Sequence, residues 1–317
     1  MWRTTIVAAL LVAVIVAVSG YRHLPFGHLP SLPLTRLSRT WSSSDVIQSQ
    51  DVNEPVVRVP IGSTPQFAIP GDSVEETSVQ RAVFWSHWLL TIANLAKAVT
   101  SLHIGSPADM AALIAVIAAS VVVGDFATGV FHWATDNYGS IKTPVFGTVC
   151  AAFQGHHLTP WTITFRSFVN NVYKICFATV PVLLLLGIGQ TFFQMNALVN
   201  VFFVLFTNWW MVSQEFHKYA HMKKVPPAVR WLQDRNIILS RKEHGLHHTA
   251  PFEGHYCILT GVNNGWLDRT KFFRYLENIV FRVTGNRANS WKESDGGAEI
   301  EREALNILSL GGARSSV

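Results

Sequence analysis

Four apolar stretches decide what this chain can fold into: residues 84–102, 109–131, 175–192 and 195–216. A hydrocarbon core of ~30 Å, crossed at ~1.5 Å per helical residue, takes about 20 apolar residues. Lipid offers the backbone no hydrogen-bonding partners, so such stretches cross as helices. Residues 84–102 form the weakest candidate, because His87 and Lys97 interrupt them. In 109–131, Asp125 is the one charge after Asp109; 175–192 has a Leu-rich centre with Pro181 as a tolerated kink; 195–216 runs into Trp209, Trp210 and Glu215. Charged residues make up 14% of the chain, against about 25% in soluble globular proteins. The expected fold is an all-α integral membrane protein: a four-transmembrane-helix bundle with an N-terminal targeting or anchor segment.

The rest of the chain divides around that bundle. Arg3, the apolar run 6–18 and Ser19-Gly20 have the order of a secretory signal, and 21–44 is rich in Arg, Pro and Ser without Asp or Glu, as in a transit peptide. Residues 1–44 therefore read as a targeting segment, with an uncleaved anchor as the alternative. Residues 45–82 read as a flexible linker, 83–285 as the membrane domain and 286–317 as a polar tail. Within the domain, 266–284 patterns as an amphipathic helix lying on the membrane surface.

Counting crossings gives a topology. The loops 103–108 and 189–194 fall on one side and contain no Lys or Arg, whereas Lys142, Arg166, Lys174 and everything after 217 fall on the other. The basic side is the cytosol or a plastid stroma. The net charge of +5 comes from these flanks rather than from a basic stripe, and no nucleic-acid motif is present, which argues against nucleic-acid binding. Cys150, Cys176 and Cys257 are too widely spaced for a CxxC site and read as buried thiols.

The histidines follow the topology. Eight of the 13 form four groups: His132 with Asp136, His156-His157, His217 with His221, and His244 with His247-His248. All four groups fall on the basic side. On a helix, residues four apart share a face, so His132 and Asp136 point together, as do His217 and His221. Asp125, two turns before His132, shares that face and reads as a support for a ligand imidazole. His255 follows the triplet at a spacing that matches no other group, which suits a supporting or substrate-facing place. His87 and His103 are isolated and read as structural. Imidazole suits Fe, Zn, Cu and Ni. Eight histidines and a carboxylate exceed the four ligands of a structural zinc and suit two Fe ions with room for O2. There is no HExxH, which argues against a zinc peptidase.

The segments GDFATGVFHWATDNYGS (124–140), FQGHHLTPWTIT (153–164), SQEFHKYAHM (213–222) and SRKEHGLHHTAPFEGHYCILTGVNN (240–264) resemble the lipid desaturase family. That family includes plasmanylethanolamine desaturase and plastid fatty acid desaturase 4. The wording of Gln154 to Thr164, the pair Asn170-Asn171 and the stretch Leu232 to Asp234 look closer to the plastid branch. The resemblance covers roughly residues 84–285. It implies a di-iron cap over the bundle, with His132, His156, His157, His217, His221, His244, His247 and His248 as ligands. Asp136 stands where the wider histidine-box pattern has a histidine, as an additional ligand or a positioning group. Gln154 and Asn171, with Asp125 and His255, are expected around them.

The implied reaction is O2-dependent desaturation of a membrane phospholipid near its headgroup linkage: the acyl chain of phosphatidylglycerol, giving a trans-3 product, or the alkyl ether chain of an ethanolamine phospholipid. The chain has no haem, flavin or iron–sulfur motif of its own, so ferredoxin or cytochrome b5 is implied as electron donor. Lys218, Lys223, Lys224, Arg230 and Arg235 are candidates for its docking, or for contact with anionic lipid. Two other readings fit the same residues: a di-iron lipid hydroxylase, and a non-enzymatic membrane adaptor with a structural metal.

Overall fold

The computed structural model describes residues 62–69, 71–249 and 252–292. The expected targeting segment 1–44 lies outside the described residues. Among the described residues regular structure is helical throughout. Four long helices form the body: α1 (Ser78–Ser101), α2 (Pro107–Asn137), α4 (Phe168–Phe192) and α5 (Ala197–His221). The short α3 (Gly147–Leu158) and a 3₁₀ turn (Pro160–Phe165) lie between α2 and α4. After α5 come α6 (Pro227–Gln233), α7 (Arg241–His247), α8 (Asn264–Arg269), α9 (Phe272–Thr284) and α10 (Asn289–Lys292).

Local chemistry sets the helix starts. Thr77 and Gln80 form a capping box before α1, and Ser106 and Asp109 form another before α2, which has Pro107 in its first turn. Ser167 caps α4 through the Asn170 N–H, and Asn196 caps α5. Helices α1, α2 and α4 all pack on α5, and α1 also packs on α4.

Three of these helices, α2, α4 and α5, are long and apolar enough to cross a membrane. Four were expected; α1, the weakest candidate in the sequence, is not among them. The reason lies in its inward face. His87 is fully buried, with Nδ1 2.9 Å from Thr179 Oγ1 on α4 and Nε2 3.3 Å from Asn208 Oδ1 on α5. Asn208 donates to Thr91 Oγ1 at 3.1 Å, and Asn94 donates to the Leu183 carbonyl at 3.0 Å. Asn200 donates to Asn94 Oδ1 at 3.4 Å. The residues that lower the apolarity of α1 thus tie it to α4 and α5. The outward faces carry large apolar side chains instead, among them Leu89, Ile114, Phe177, Leu185 and Phe203. A polar interior and an apolar exterior suit a lipid solvent.

Two expected boundaries move. Residues 62–69, within the expected linker, pack on the 3₁₀ turn. Trp161 Nε1 donates to the Thr64 carbonyl at 2.9 Å, and Thr162 Oγ1 both accepts from the Gln66 N–H and donates to its carbonyl. Past 285, where a tail was expected, Trp291 is buried and donates to Glu277 Oε2 at 2.7 Å, and Ser290 N donates to Asn137 Oδ1 at 3.0 Å. Polar composition hides both, because single anchoring aromatics do the packing.

The single amphipathic helix expected over 266–284 is divided into α8 and α9 at Lys271, which takes φ 52°; the amphipathic pattern is kept in α9. Phe273 and Phe281 are buried, while Tyr275, Ile279 and Val283 stand exposed on the other side. All three cysteines are buried and free.

Candidate metal centre

Helices α2 and α5 run in the same direction and end beside each other, and α3 and α7 close over their ends. This brings all eight clustered histidines and Asp136 into one nest, in two groups. His156 of α3, His217 and His221 of α5, and His244 and His248 of α7 and its cap form the first. His132 and Asp136 of α2, His157 of α3 and His247 of α7 form the second. In each group the potential ligand atoms all lie within 4.8 Å of one another. The adjacent histidines of each pair, 156 with 157 and 247 with 248, are split between the groups, since neighbours on a helix point about 100° apart.

The first group cannot be satisfied by hydrogen bonds alone. Nε2 of His221 lies 2.9 Å from His156 Nε2, 3.2 Å from His217 Nε2 and 2.9 Å from His244 Nε2. His248 Nε2 lies 3.1 Å from His244 Nε2. An imidazole nitrogen is either one donor or one acceptor, so one nitrogen cannot serve three others. Metal–nitrogen bonds of ~2.0–2.1 Å set neighbouring ligand atoms about 3 Å apart, which is the spacing found here.

The second group centres on Asp136. Its Oδ2 lies 3.2 Å from His132 Nε2, 3.2 Å from His157 Nε2 and 3.4 Å from His247 Nε2. Both Asp136 oxygens, His132 Nε2 and His247 Nε2 are buried without a hydrogen bond. On the far sides of two rings, His132 Nδ1 faces the Tyr256 carbonyl at 3.0 Å and His247 Nδ1 faces the Gly254 carbonyl at 2.9 Å. A carbonyl accepts only, so both Nδ1 atoms carry the proton and both Nε2 lone pairs face the centre. Orphaned buried donor atoms, neutral imidazoles and one carboxylate make a set compatible with metal binding in both groups.

Burial also keeps these rings neutral. It holds His156, His244 and His248 well below the usual histidine range, and the neighbouring histidines add to the effect. His247 is lowered by burial too, with Asp136 opposing. Neutral imidazole is the form that binds a metal.

Three of the four expected supporting residues, Asp125, Gln154 and Asn171, hold the surrounding backbone. Asp125, expected to bond a ligand imidazole, does not. Its Oδ1 accepts from the N–H groups of Thr260 at 2.7 Å and Gly261 at 2.9 Å, and its Oδ2 from Asn263 N at 3.1 Å and Asn263 Nδ2 at 3.0 Å. These four donors satisfy a fully buried carboxylate. Gly261 takes φ 77°, a left-handed turn suited to glycine. One turn along α2, Thr128 Oγ1 accepts from Ile258 N at 3.1 Å. Asp125, Thr128 and His132 therefore grip one loop, and the grip fixes the Tyr256 carbonyl behind His132. Gly129, on the same side, lets the loop approach: a Cβ there would come 2.5 Å from Cys257 Sγ.

Gln154 donates Nε2 to the carbonyls of Thr135 at 3.1 Å and Gly139 at 3.2 Å, tying α3 to the end of α2. Asn171 donates Nδ2 to the Gln214 carbonyl at 2.9 Å and to Glu215 Oε2 at 3.0 Å, two residues before His217 and six before His221. His255 belongs to neither group. Its Nδ1 lies 2.7 Å from Glu243 Oε1 and its Nε2 3.4 Å from Asp268 Oδ2. Burial depresses His255, but the Glu243 hydrogen bond and the charges of Glu243 and Asp268 outweigh it and raise the imidazole above its usual value. The Tyr256 and Gly254 carbonyls were missed, since a backbone acceptor leaves no mark in a sequence.

Lys218, one of the basic candidates for carrier docking, is buried and paired with Glu215 at 2.5 Å. Lys223, Lys224, Arg230 and Arg235 are exposed.

A cavity of about 500 Å³ opens beside the nest, and His156 and His217 form part of its wall. Phe131, Phe146, Phe153, Ile163, Ile175 and Trp210 make its lining mainly apolar. Residues 66–69 close one side. Gly155 allows that closure, since a Cβ there would come 2.2 Å from the Ala68 methyl.

The comparisons with known proteins agree with this geometry. A family model described as a lipid desaturase domain matches residues 121–291, which hold both ligand groups. Fatty acid desaturase 4-like 1, chloroplastic, of Arabidopsis thaliana is 42% identical over 177 residues, 55% of this chain and 59% of the relative. Fatty acid desaturase 4, chloroplastic, of the same plant is 41% identical over 194 residues, 59% of this chain and 58% of the relative. Plasmanylethanolamine desaturase of Myxococcus xanthus is 31% identical over 212 residues, 65% of this chain and 72% of the relative. The chain thus spans about three-fifths of the length of the two Arabidopsis relatives. No solved structure matches. On the family match, which covers more than half of its residues, the chain belongs to the lipid desaturase family.

Proposed function

We propose that this protein is a membrane di-iron oxidoreductase that introduces a double bond into a phospholipid-bound chain near the headgroup linkage. The observation that carries the reading is that the histidine nest reaches the wall of an apolar cavity through His156 and His217 of its first ligand group. One iron would be held by His156, His217, His221, His244 and His248, the other by His132, Asp136, His157 and His247. When bound, iron supplies the redox chemistry: O2 and two electrons take one hydrogen from each of two adjacent CH2 groups, leaving a C=C bond and, with two protons, two waters.

The chain's own residues set the conditions for this. The Tyr256 and Gly254 carbonyls orient His132 and His247. The Asp136 carboxylate offsets positive charge in its group. The aromatic walls of the cavity exclude water and hold an alkyl chain against the histidines. A volume of about 500 Å³ lies within the ~300–1,000 Å³ usual for small-molecule pockets, room for a segment of an alkyl chain.

The favoured substrate is the acyl chain of phosphatidylglycerol, with a trans-3 product, in a plastid membrane. The relatives named as chloroplastic, at 37–42% identity against 31–32% for the plasmanylethanolamine desaturases, support this branch. In the membrane α1 is the fourth span beside α2, α4 and α5: its 24 residues suffice, and its polar groups face inward. The histidine nest then lies on the stromal side. The electrons come from a carrier of the ferredoxin or cytochrome b5 kind, for which exposed Lys223, Lys224, Arg230 and Arg235 offer a basic face.

Expression in a host without this activity, followed by mass spectrometry of acyl and alkenyl ether chains, tests the reading. A phosphatidylglycerol acyl chain lighter by two hydrogens, with the bond at carbon 3, is the expected product. Vinyl ethers would move the protein to the other branch, and a chain heavier by one oxygen would make it a hydroxylase. Unchanged lipids alongside an iron-free protein would leave the structural-metal adaptor.

A further inference from the structure

Three charged side chains line the cavity besides the histidines: Asp72, Arg166 and Lys174. Two of them cancel. Arg166 Nη2 lies 2.5 Å from Asp72 Oδ2, and its Nη1 lies 3.3 Å from Asp72 Oδ1. The same guanidinium donates to the Ser73 carbonyl at 3.0 Å and to Asn170 Oδ1 at 2.7 Å. Lys174 differs. It sits half-buried in α4, within a membrane-crossing helix, and makes no hydrogen bond or ion pair among the described residues. The cavity wall therefore carries one positive charge in excess, since the single carboxylate of Asp72, near enough to act on Lys174, is already paired with Arg166. Desolvating an ammonium group is costly, and a cation inside a membrane helix commonly marks the path of a charged substrate.

Its position along the bundle relates it to the nest. Helices α4 and α5 are antiparallel: Asn171 meets Glu215, while Thr179 and Asn208 meet at His87. Lys174 lies three residues beyond Asn171, and His217 lies two residues beyond Glu215 in the opposite sense. The two are thus offset by about five residues, or ~7.5 Å along the axis at ~1.5 Å per residue. Because α4 begins at the end that carries the nest, the Lys174 backbone is the deeper of the two; its side chain, tilted like every helical side chain toward the helix N-terminus, brings an anionic group held there back toward the level of His217 and His156.

We propose that Lys174 seats the phosphate of the phospholipid whose chain occupies the cavity, and so gives the site its preference for an anionic phospholipid over an uncharged lipid. This rests on the reading of the cavity as the substrate site and assigns its headgroup determinant.

The test uses the purified full-length protein in detergent, equilibrated with equal amounts of phosphatidylglycerol and an uncharged galactolipid, with bound lipid identified by native mass spectrometry. A hydrogen bond to a charged group is worth about 1.5–3 kcal/mol, so the wild type should favour phosphatidylglycerol by about tenfold or more. Lys174→Met should bring the two lipids close to parity, and Lys174→Arg should restore most of the preference. Thermal unfolding and bound iron, measured on the same samples, show whether each variant is folded; Lys174→Gln replaces the Met variant if that one is not. A folded Met or Gln variant with wild-type preference overturns the proposal, as does an Arg variant that loses the preference as fully as Met. The two readings separate cleanly. A wild type that prefers phosphatidylglycerol but yields no desaturated lipid sinks the activity alone, whereas an active enzyme whose preference ignores residue 174 sinks the Lys174 assignment alone.

Discussion

Asp136 Oδ2 stands 3.2 Å from Nε2 of His132, one helical turn earlier, yet neither atom makes a hydrogen bond. Two buried polar atoms so close and so poorly aligned are arranged around something other than each other. If that something is a metal ion, Asp136→Asn should lower bound metal from two ions per chain to about one. The affinity of the Asp136 group for its ion should fall by about tenfold to a hundredfold, while the other group keeps its own. Asp136→His, which restores the histidine-box spacing, should keep more metal than Asn. Inductively coupled plasma mass spectrometry of the purified variants checks both; two full equivalents in Asp136→Asn would remove the carboxylate from the ligand set.

The loop that backs His132 depends on Asp125. Asp125→Ala would strand four N–H donors at a buried position and should cost about 3–5 kcal/mol, the scale for breaking a buried charged network. Thermal unfolding in detergent should show a clear drop. Metal content should fall with it, because the Tyr256 carbonyl loses its anchor. Asp125→Asn keeps the shape with fewer acceptors and should lie between Ala and wild type.

At Gly129 the constraint is steric. An added methyl meets Cys257 Sγ at 2.5 Å, and overpacking of this kind costs about 1–3 kcal/mol. Gly129→Ala should therefore lower the unfolding temperature, and Cys257→Ala in the same chain should recover part of the loss. A double variant no better than the single would place the strain elsewhere.

His255 gives the pH dependence its sign. Its folded value is raised above 6.5 by Glu243 and Asp268 against the effect of burial. The stabilisation is therefore fully present below the unfolded value and is lost as pH rises through the folded one. In Glu243→Gln that loss should be much smaller. Unfolding temperatures measured on either side of 6.5 check this, and equal slopes in wild type and variant would contradict it.

How much of this was legible depended on the kind of partner. The histidine nest was readable because helical spacing and chain parity act on side chains alone: His132 with Asp136 and His217 with His221 had to share faces, and the even number of crossings had to return them to one side. The division into two groups was not readable, since it needs the relative rotation of α3 and α7. Asp125, Gln154 and Asn171 were placed around the ligands, but Asp125 was given a ligand imidazole as partner and the other two were given none. Each bonds backbone from a distant segment, as Asp125 does with Thr260, Gly261 and Asn263. The weak hydropathy of α1 was read as doubt about the helix, when its polar residues are its contacts. Residues 66–69 looked like linker because their role, closing a cavity wall, is carried by main-chain bonds to Thr162.

The inward ladder of His87, Thr91, Asn94, Thr179, Asn200 and Asn208 has a consequence for how such a bundle tolerates change. In lipid, apolar surfaces do not distinguish a neighbouring helix from the solvent, so greasy contacts cannot choose a rotation or a depth. Directional bonds can. The outward residues of these helices are then free to drift with the thickness and fluidity of the surrounding bilayer, while a handful of amides and hydroxyls keep each helix at its setting. The placing of the cavity against the histidines is thereby held by residues of which Thr179 alone lines the cavity and none belongs to the nest.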